Sequence, residues 1–319
     1  MAAHSDPDPR GSDPAFMMRR ARARRATVPL PTLLRWGRDE ITRAGLSAAE
    51  AEWLLEWATG ADSLVTAPQE VGIRAAEAYR SGIAQRRSRI PLQHIMGEMS
   101  FRYLTLKAGP GVFSVRPETE TLVELALKQL REAPVFSDGK QHVADLCAGS
   151  GAVGLSIAKE AENVNVDLVE LDPMAAAYLY ANVEGCAPYA AGSTAAGRVE
   201  DAVVALQGKE GTMALVASNP PYVRRADIPT QPEAQADPEV ALYGGGEDGL
   251  VIPRGVVGRA FDLLAPGGSL VLEHGETQGE ALAAHALTVG FSSAETAFDL
   301  TDRPRFLVAR KADGAPNPK

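Results

Sequence analysis

Asn219-Pro220-Pro221-Tyr222 follows a six-residue run, Met213 to Ser218, that reads as a buried strand. Two successive prolines hold φ and carry no N–H, so they end a central strand and leave their carbonyls free to accept hydrogen bonds. Open α/β sheets bind ligands outside the carboxyl ends of their strands, where this turn falls. The Asn219 side-chain carbonyl and the Pro220 carbonyl can each take one hydrogen of a planar –NH2 group, and Tyr222 can stack on that plane. Together with Pro221 they form a socket for an amide or an aromatic amine. An amide nitrogen is a poor nucleophile because its lone pair is delocalised. Two acceptors on its hydrogens favour a pyramidal nitrogen and stabilise positive charge as a new bond forms. Each such bond contributes about 0.5–1.5 kcal/mol, whereas alignment with an electrophilic carbon can contribute about 7–11 kcal/mol. Asn219, Pro220 and Tyr222 are therefore the candidate catalytic residues.

A second cluster suits the donor of such a carbon. Asp145-Leu146-Cys147-Ala148-Gly149-Ser150-Gly151 runs from an apolar strand through a tight turn into a helix. Glycines let backbone approach a ligand closely, and the helix start presents unpaired N–H groups. Glu170 ends the next strand, where a carboxylate can accept both hydroxyls of a ribose. Gly149, Gly151 and Gly154 also fit the dinucleotide pattern G-x-G-x-x-G, so these residues alone leave NAD and S-adenosylmethionine open. Asp145 suits the positive amino group of a methionine moiety and gives a pyrophosphate nothing. Cys147 reads as a backbone contributor to the loop, since no partnered base accompanies it. His94 and His274 lack metal-ligand spacing and read as packed or hydrogen-bonded side chains, with no metal expected.

Alternating strand and helix signals must position both clusters. Strands are expected at 142–146, 165–171, 213–218 and 268–274, with a last one at Phe306–Ala309; helices are expected at 118–131, 151–161, 173–184, 249–264 and 276–288. That alternation predicts an α/β fold with a mainly parallel sheet covered on both faces. Glu118 and Glu120 open the first of these helices, where they either complement the helix dipole or act through the cofactor pocket. Residues 223–248 form a long connection that could cover a substrate, with Arg224 and Arg225 at its start. Residues 26–89 read as a small helical domain. Ser47 and Glu50 form a capping-box pattern there, followed by a helix that buries Ala51, Leu54, Leu55 and Ala58 and stops at Gly60. Its third helix is expected from Pro68 to Arg87, and Trp53 and Trp57 are expected in its core. Residues 90–117 read as a hairpin linker, with Phe101, Tyr103 and Thr105 along one strand and Gly109-Pro110-Gly111 as the break. Residues 118–319 form the remaining domain.

The chain has 319 residues, 45% hydrophobic and 23% charged, which leaves ample apolar surface for two domains. No stretch of about 18 apolar residues could span a membrane. Two cysteines, Cys147 and Cys186, make no disulfide framework, so a reducing cytoplasm is the expected setting. The net charge of −9 disfavours direct nucleic-acid binding. Residues 1–25 carry six Arg and three Asp, which leaves −12 on the rest of the chain. The cluster Arg19, Arg20, Arg22, Arg24 and Arg25 reads as a solvated, disordered tail.

The sequence resembles the HemK-type release-factor glutamine methyltransferases over roughly residues 29–311. The resemblance rests on Pro91-Leu-Gln-His-Ile-Met-Gly-Glu98, Arg116-Pro-Glu-Thr-Glu120, Asp145 to Gly151, Asn219 to Tyr222, Gly244-Gly-Gly-Glu-Asp-Gly-Leu250, Pro266-Gly-Gly268 and Glu273-His-Gly275. It implies a helical N-terminal substrate-recognition domain, a hairpin and a seven-stranded class I, Rossmann-like methyltransferase domain. It implies S-adenosylmethionine as cofactor and a peptide chain release factor as protein substrate, methylated on the glutamine amide of a Gly-Gly-Gln motif. The family's cofactor loop falls on Cys147, Ala148, Gly149, Ser150 and Gly151, its ribose-binding acid on Glu170, its adenine contact on Asp201 or Ala202, and its substrate tetrapeptide on Asn219–Tyr222, with Asn219 also touching the cofactor. Val115, Ala202, Ala214 and Cys147-Ala148 depart from the commoner family residues. These departures leave room for a paralogue with another amide or amine acceptor, or for a binder without turnover.

Overall fold

The computed structural model describes residues 26–227 and 232–314. The arginine cluster of the expected tail lies outside the described residues. The chain divides into two compact units, one ending at Met96 and the other beginning at Gly97.

The first unit contains β1 (Thr27–Pro29), α1 (Leu30–Arg43), α2 (Ala49–Thr59), β2 (Glu70–Gly72), α3 (Ile73–Arg87) and α4 (Leu92–Met96). Its core holds Leu33, Ile41, Leu54, Leu55, Tyr79 and Ile83. Gly60 ends α2 in the left-handed conformation that glycine adopts without strain. The expected third helix starts five residues late, because residues 70–72 pair antiparallel with β1. The capping box does not form. The Ser47 hydroxyl accepts only from Ala49 N at 3.4 Å, and the Glu50 carboxylate is drawn to the buried Arg86 guanidinium. A buried guanidinium needs a counter-charge more than an exposed helix start needs a second cap. Trp57 donates its indole N–H to the Met96 carbonyl at 3.0 Å, while Trp53, expected in the core, is half exposed.

The second unit opens with a hairpin of β3 (Glu98–Phe101) and β4 (Leu104–Lys107). Its turn is Arg102-Tyr103, so Phe101 is buried and Tyr103 is exposed instead of continuing one strand; Gly109-Pro110-Gly111 lies beyond it. Residues 90–96 of the expected linker fall in the helical unit. Then follow α5 (Thr119–Leu130), β5 (Gln141–Leu146), α6 (Ala152–Glu160), β6 (Val164–Glu170), α7 (Pro173–Gly185), β7 (Thr194–Val199), β8 (Met213–Ser218), α8 (Glu239–Leu242), α9 (Val251–Leu263), β9 (Leu264–Glu273), α10 (Gly279–Val289), β10 (Ser293–Phe298) and β11 (Pro304–Arg310).

These strands form one seven-stranded sheet in the order β10-β11-β9-β8-β5-β6-β7, parallel except for β11, which runs against both neighbours. Apolar clusters cover both faces; all six residues of β8 are buried, while β5 and β6 carry Asp145, Asn165, Asp167 and Glu170 among their apolar residues. The sequence pattern did not reveal β7 and β10. Both are edge strands with exposed positions and small or polar residues, which erase the apolar run. Successive connections leave β5 toward β6 on one side and return to β8 on the other. The carboxyl ends of β5 and β8 therefore flank a topological switch point.

Candidate active site

The glycine turn leaves β5 at this switch point. Cys147, Gly149 and Gly151 all take positive φ, at 66°, 57° and 90°, and α6 starts directly after them. A side chain at Gly149 would meet no protein atom within 4 Å, so the open space beside it is available to a ligand. Gly154 serves packing: a Cβ there would lie 2.8 Å from Leu168 and 3.0 Å from the Asp145 carboxylate, and its N–H donates to Asp145 Oδ2 at 2.8 Å. The other Asp145 oxygen is buried without a partner. Burial pushes the Asp145 carboxyl up to about 7, against the Gly154 N–H and with the charge of Glu170. Glu170 accepts from Gly149 N at 2.7 Å and from Asp172 N at 2.8 Å, and burial raises its carboxyl above the ordinary range despite those bonds. Each Glu170 oxygen keeps a lone pair for a further donor. The buried Asn182 amide ties Ser150 to the hairpin, donating to the Ser150 carbonyl at 2.9 Å and accepting from Lys107 N at 2.6 Å.

Across the switch point, β8 delivers Asn219-Pro220-Pro221-Tyr222. The Asn219 amide donates to Thr119 Oγ1 at 3.3 Å, Thr119 donates to Glu273 Oε2 at 2.8 Å, and the Tyr222 hydroxyl donates to Glu273 Oε1 at 3.1 Å. Thr119 opens α5 and Glu273 ends β9, so three elements converge on the tetrapeptide. Burial pushes the Glu273 carboxyl up to about 7, against the Thr119 and Tyr222 bonds, and burial likewise raises the Tyr222 phenol. Gln278 donates to the carbonyls of Tyr222 and Asp248, both at 2.9 Å. A Cβ at Gly244 would stand 1.8 Å from the Gly249 carbonyl and 2.8 Å from the Pro221 carbonyl, so the Gly244–Gly249 turn packs directly on the tetrapeptide backbone.

Both clusters line one cavity of about 510 Å3, within the range of small-molecule sites. The connection after the tetrapeptide adds Pro238, Val240, Ala241 and Leu242 to its wall. Asp237 secures that wall, accepting from Ser114 N at 3.1 Å and from Arg116 at 2.5 Å.

The matches to known families divide at the same place as the fold. The PrmC N-terminal domain family matches residues 32–97, and the methyltransferase small domain family matches residues 103–255. The release factor glutamine methyltransferase of Bifidobacterium longum is 42% identical over 286 residues, covering 85% of this chain and 96% of the relative. That of Streptomyces coelicolor is 42% identical over 237 residues, covering 73% and 80%, and that of Deinococcus radiodurans is 36% identical over 293 residues, covering 90% and 100%. The chain belongs to the release factor glutamine methyltransferase family.

Within this family frame, the site residues singled out from sequence lie on the one cavity except Gly151, which immediately precedes α6, and Gly154, which packs inside that helix. Asp201 is exposed at the rim, and Ala202 is buried against α9. Burial raises the Cys147 thiol above its ordinary range, which disfavours a thiolate there. The two acids expected at the helix start do open α5, and the two part company there. Glu118 makes no capping bond and lines the cavity; Glu120 accepts from Arg102 N at 3.2 Å and anchors the hairpin turn. His274 bonds the Gly275 carbonyl through Nδ1 at 2.8 Å and is buried, so it stays neutral. Arg224 pairs with Asp227 at 2.6 Å, and Arg225 lies over the Tyr243 ring at 5.2 Å. Among the described residues no group of three or more His, Cys, Asp or Glu could hold a metal, and no helix is long and apolar enough to cross a membrane. Sequence reasoning missed Thr119, Asn182 and Glu273 as site-builders. Thr119 and Glu273 sit within quoted family motifs, but nothing local marks either as a partner of Asn219, 100 residues beyond Thr119.

Proposed function

We propose that the chain transfers a methyl group from S-adenosylmethionine to the side-chain amide nitrogen of a glutamine in a peptide chain release factor. One observation carries this reading: Asn219 spends its N–H on Thr119, and no hydrogen bond claims its carbonyl oxygen among the described residues. That orientation offers an acceptor to an incoming –NH2 group. The names of the relatives support the substrate class, and the helical unit is the natural candidate for recognising the rest of the release factor.

The residues fit the cofactor. The unpartnered Asp145 oxygen suits an ammonium group, the free lone pairs of Glu170 suit ribose hydroxyls, and the open space at Gly149 admits a chain of atoms against the backbone. Asp201, Ala202 and Val203 provide a wall for a planar base. Bound there, the sulfonium supplies an electrophilic methyl carbon. Asn219 Oδ1 and the Pro220 carbonyl accept the two amide hydrogens, the Tyr222 ring faces the amide plane, and the buried prolines keep the acceptors from relaxing. Positive charge building on nitrogen meets two oxygen dipoles, so a strong base is not required before attack.

The test is labelled S-adenosylmethionine incubated with purified release factors, and the label mapped by peptide mass. Labelled glutamine is expected in a Gly-Gly-Gln peptide, and Asn219→Ala should abolish transfer while donor affinity changes little. Label on DNA or RNA with none on protein would overturn the reading, and full turnover by Asn219→Ala would remove Asn219 from it.

A further inference from the structure

Asn219 can serve an –NH2 group only in one of its two amide orientations, because the flipped amide presents hydrogens to hydrogens. The side chain does not set that orientation by itself. Its nitrogen faces Thr119 Oγ1 at 3.3 Å, and a hydroxyl can either accept there or donate. Thr119 must accept from Asn219 because its own hydrogen is committed to Glu273 at 2.8 Å. A carboxylate is acceptor only, so an ionised Glu273 imposes one direction on the whole chain of bonds. Its second oxygen takes the Tyr222 hydroxyl at 3.1 Å and so holds the far end of the same tetrapeptide.

We propose that Glu273 is a positioning residue that acts through Thr119 and Tyr222 to set the hydrogen-bond polarity of Asn219, so that a carbonyl and not an amino group faces the methyl acceptor. The inference rests on the amide-nitrogen reading above and deepens it. Glu273 is 1% exposed and has no bulk water to share its charge. The charged groups facing it are Glu118 at the start of α5, which opposes ionisation, and Arg305 on β11, which favours it; Tyr222 follows β8, and His274 is its neutral neighbour in sequence. Once Glu273 takes a proton on the oxygen facing Thr119, that oxygen donates to the threonine hydroxyl. The Thr119 hydrogen is then released toward Asn219 and favours the flipped amide. The carboxyl titrates near 7, so turnover falls as pH drops through that value.

The experiment measures kcat at saturating donor from pH 5.5 to 9, donor affinity by calorimetry and Tm, for the full chain and the variants Thr119→Val, Thr119→Ser and Glu273→Gln. Wild type is expected to lose turnover on the acid side with a midpoint near neutrality. Thr119→Val, which keeps the shape and removes the hydroxyl, should lower kcat about 10–100-fold with donor affinity within about twofold. Thr119→Ser, which restores the hydroxyl, should recover most of that loss. Glu273→Gln should show no acid limb, because an amide does not titrate. A Thr119→Val kcat within about twofold of wild type, or an unchanged acid limb in Glu273→Gln, overturns the relay. A kcat loss in Thr119→Val that tracks loss of Tm and that Thr119→Ser does not recover assigns Thr119 to packing and also overturns it. If wild type methylates no release factor, the amide-nitrogen reading fails and the relay fails with it; wild-type turnover with indifferent variants sinks the relay alone.

Discussion

Asp145→Asn should make the donor-free protein more stable and a poorer binder at the same time. The side chain is 1% exposed, with one oxygen on the Gly154 N–H at 2.8 Å and the other unpartnered. Its carboxyl is pushed from 3.8 in the unfolded chain up to about 7 in the fold, chiefly by burial. A raised carboxylate costs nothing below pH 4, where both states are protonated. The cost grows between pH 4 and 7 and is complete above 7, where, at about 1.36 kcal/mol per pH unit, it reaches roughly 4 kcal/mol. The neutral amide escapes that cost but leaves a buried –NH2 unsatisfied, which returns about 1–3 kcal/mol. The net gain at pH 8 is therefore about 1–3 kcal/mol, and a domain of this size shifts in Tm by about 2–4 °C for each kcal/mol. At pH 4 the carboxylate cost is gone and the unsatisfied amide leaves the variant about 1–3 kcal/mol less stable than wild type. Donor binding moves the other way: a hydrogen bond to a charged group is worth about 1.5–3 kcal/mol, so Kd should rise about 10–150-fold. Thermal melts at pH 4 and pH 8, without and with S-adenosylmethionine, and calorimetric titration at pH 8 test both halves. A variant that melts below wild type at pH 8 would refute the desolvation argument, and an unchanged Kd would remove Asp145 from the donor site.

Glu170→Ala strips the acceptor from Gly149 N and Asp172 N and should weaken donor binding about 10–100-fold, read by the same titration. Gly244→Ala forces a Cβ against the carbonyls of Gly249 and Pro221, backbone atoms that yield only if the tetrapeptide moves; methyl transfer should drop at least about tenfold while far-ultraviolet circular dichroism stays unchanged. Gly37→Ala places a Cβ 1.8 Å from the Tyr79 hydroxyl in the core of the helical unit, and overpacking there should cost about 1–3 kcal/mol in a denaturant melt.

Sequence by itself determined the chemistry-bearing words. A glycine turn, an acid at the next strand end and an Asn-Pro-Pro-Tyr corner are local, because φ restrictions and missing N–H groups act within a few residues. The central strands were legible for a related reason: burial on both faces keeps Met213 to Ala217 of β8 apolar, and β5 and β6 keep short apolar stretches between their polar residues. Edge strands β7 and β10 were not, since one exposed flank permits small and polar residues that carry no period. The N-terminal capping box failed on an energetic contest that no four-residue window contains: a buried guanidinium 36 residues away claimed Glu50. The same holds at the site. Thr119, Glu273 and Tyr222 come from three separate elements, and only the closed sheet makes them one hydrogen-bonded set with Asn219. A motif specifies which acceptor is present; the direction in which it points belongs to partners brought together by long-range packing.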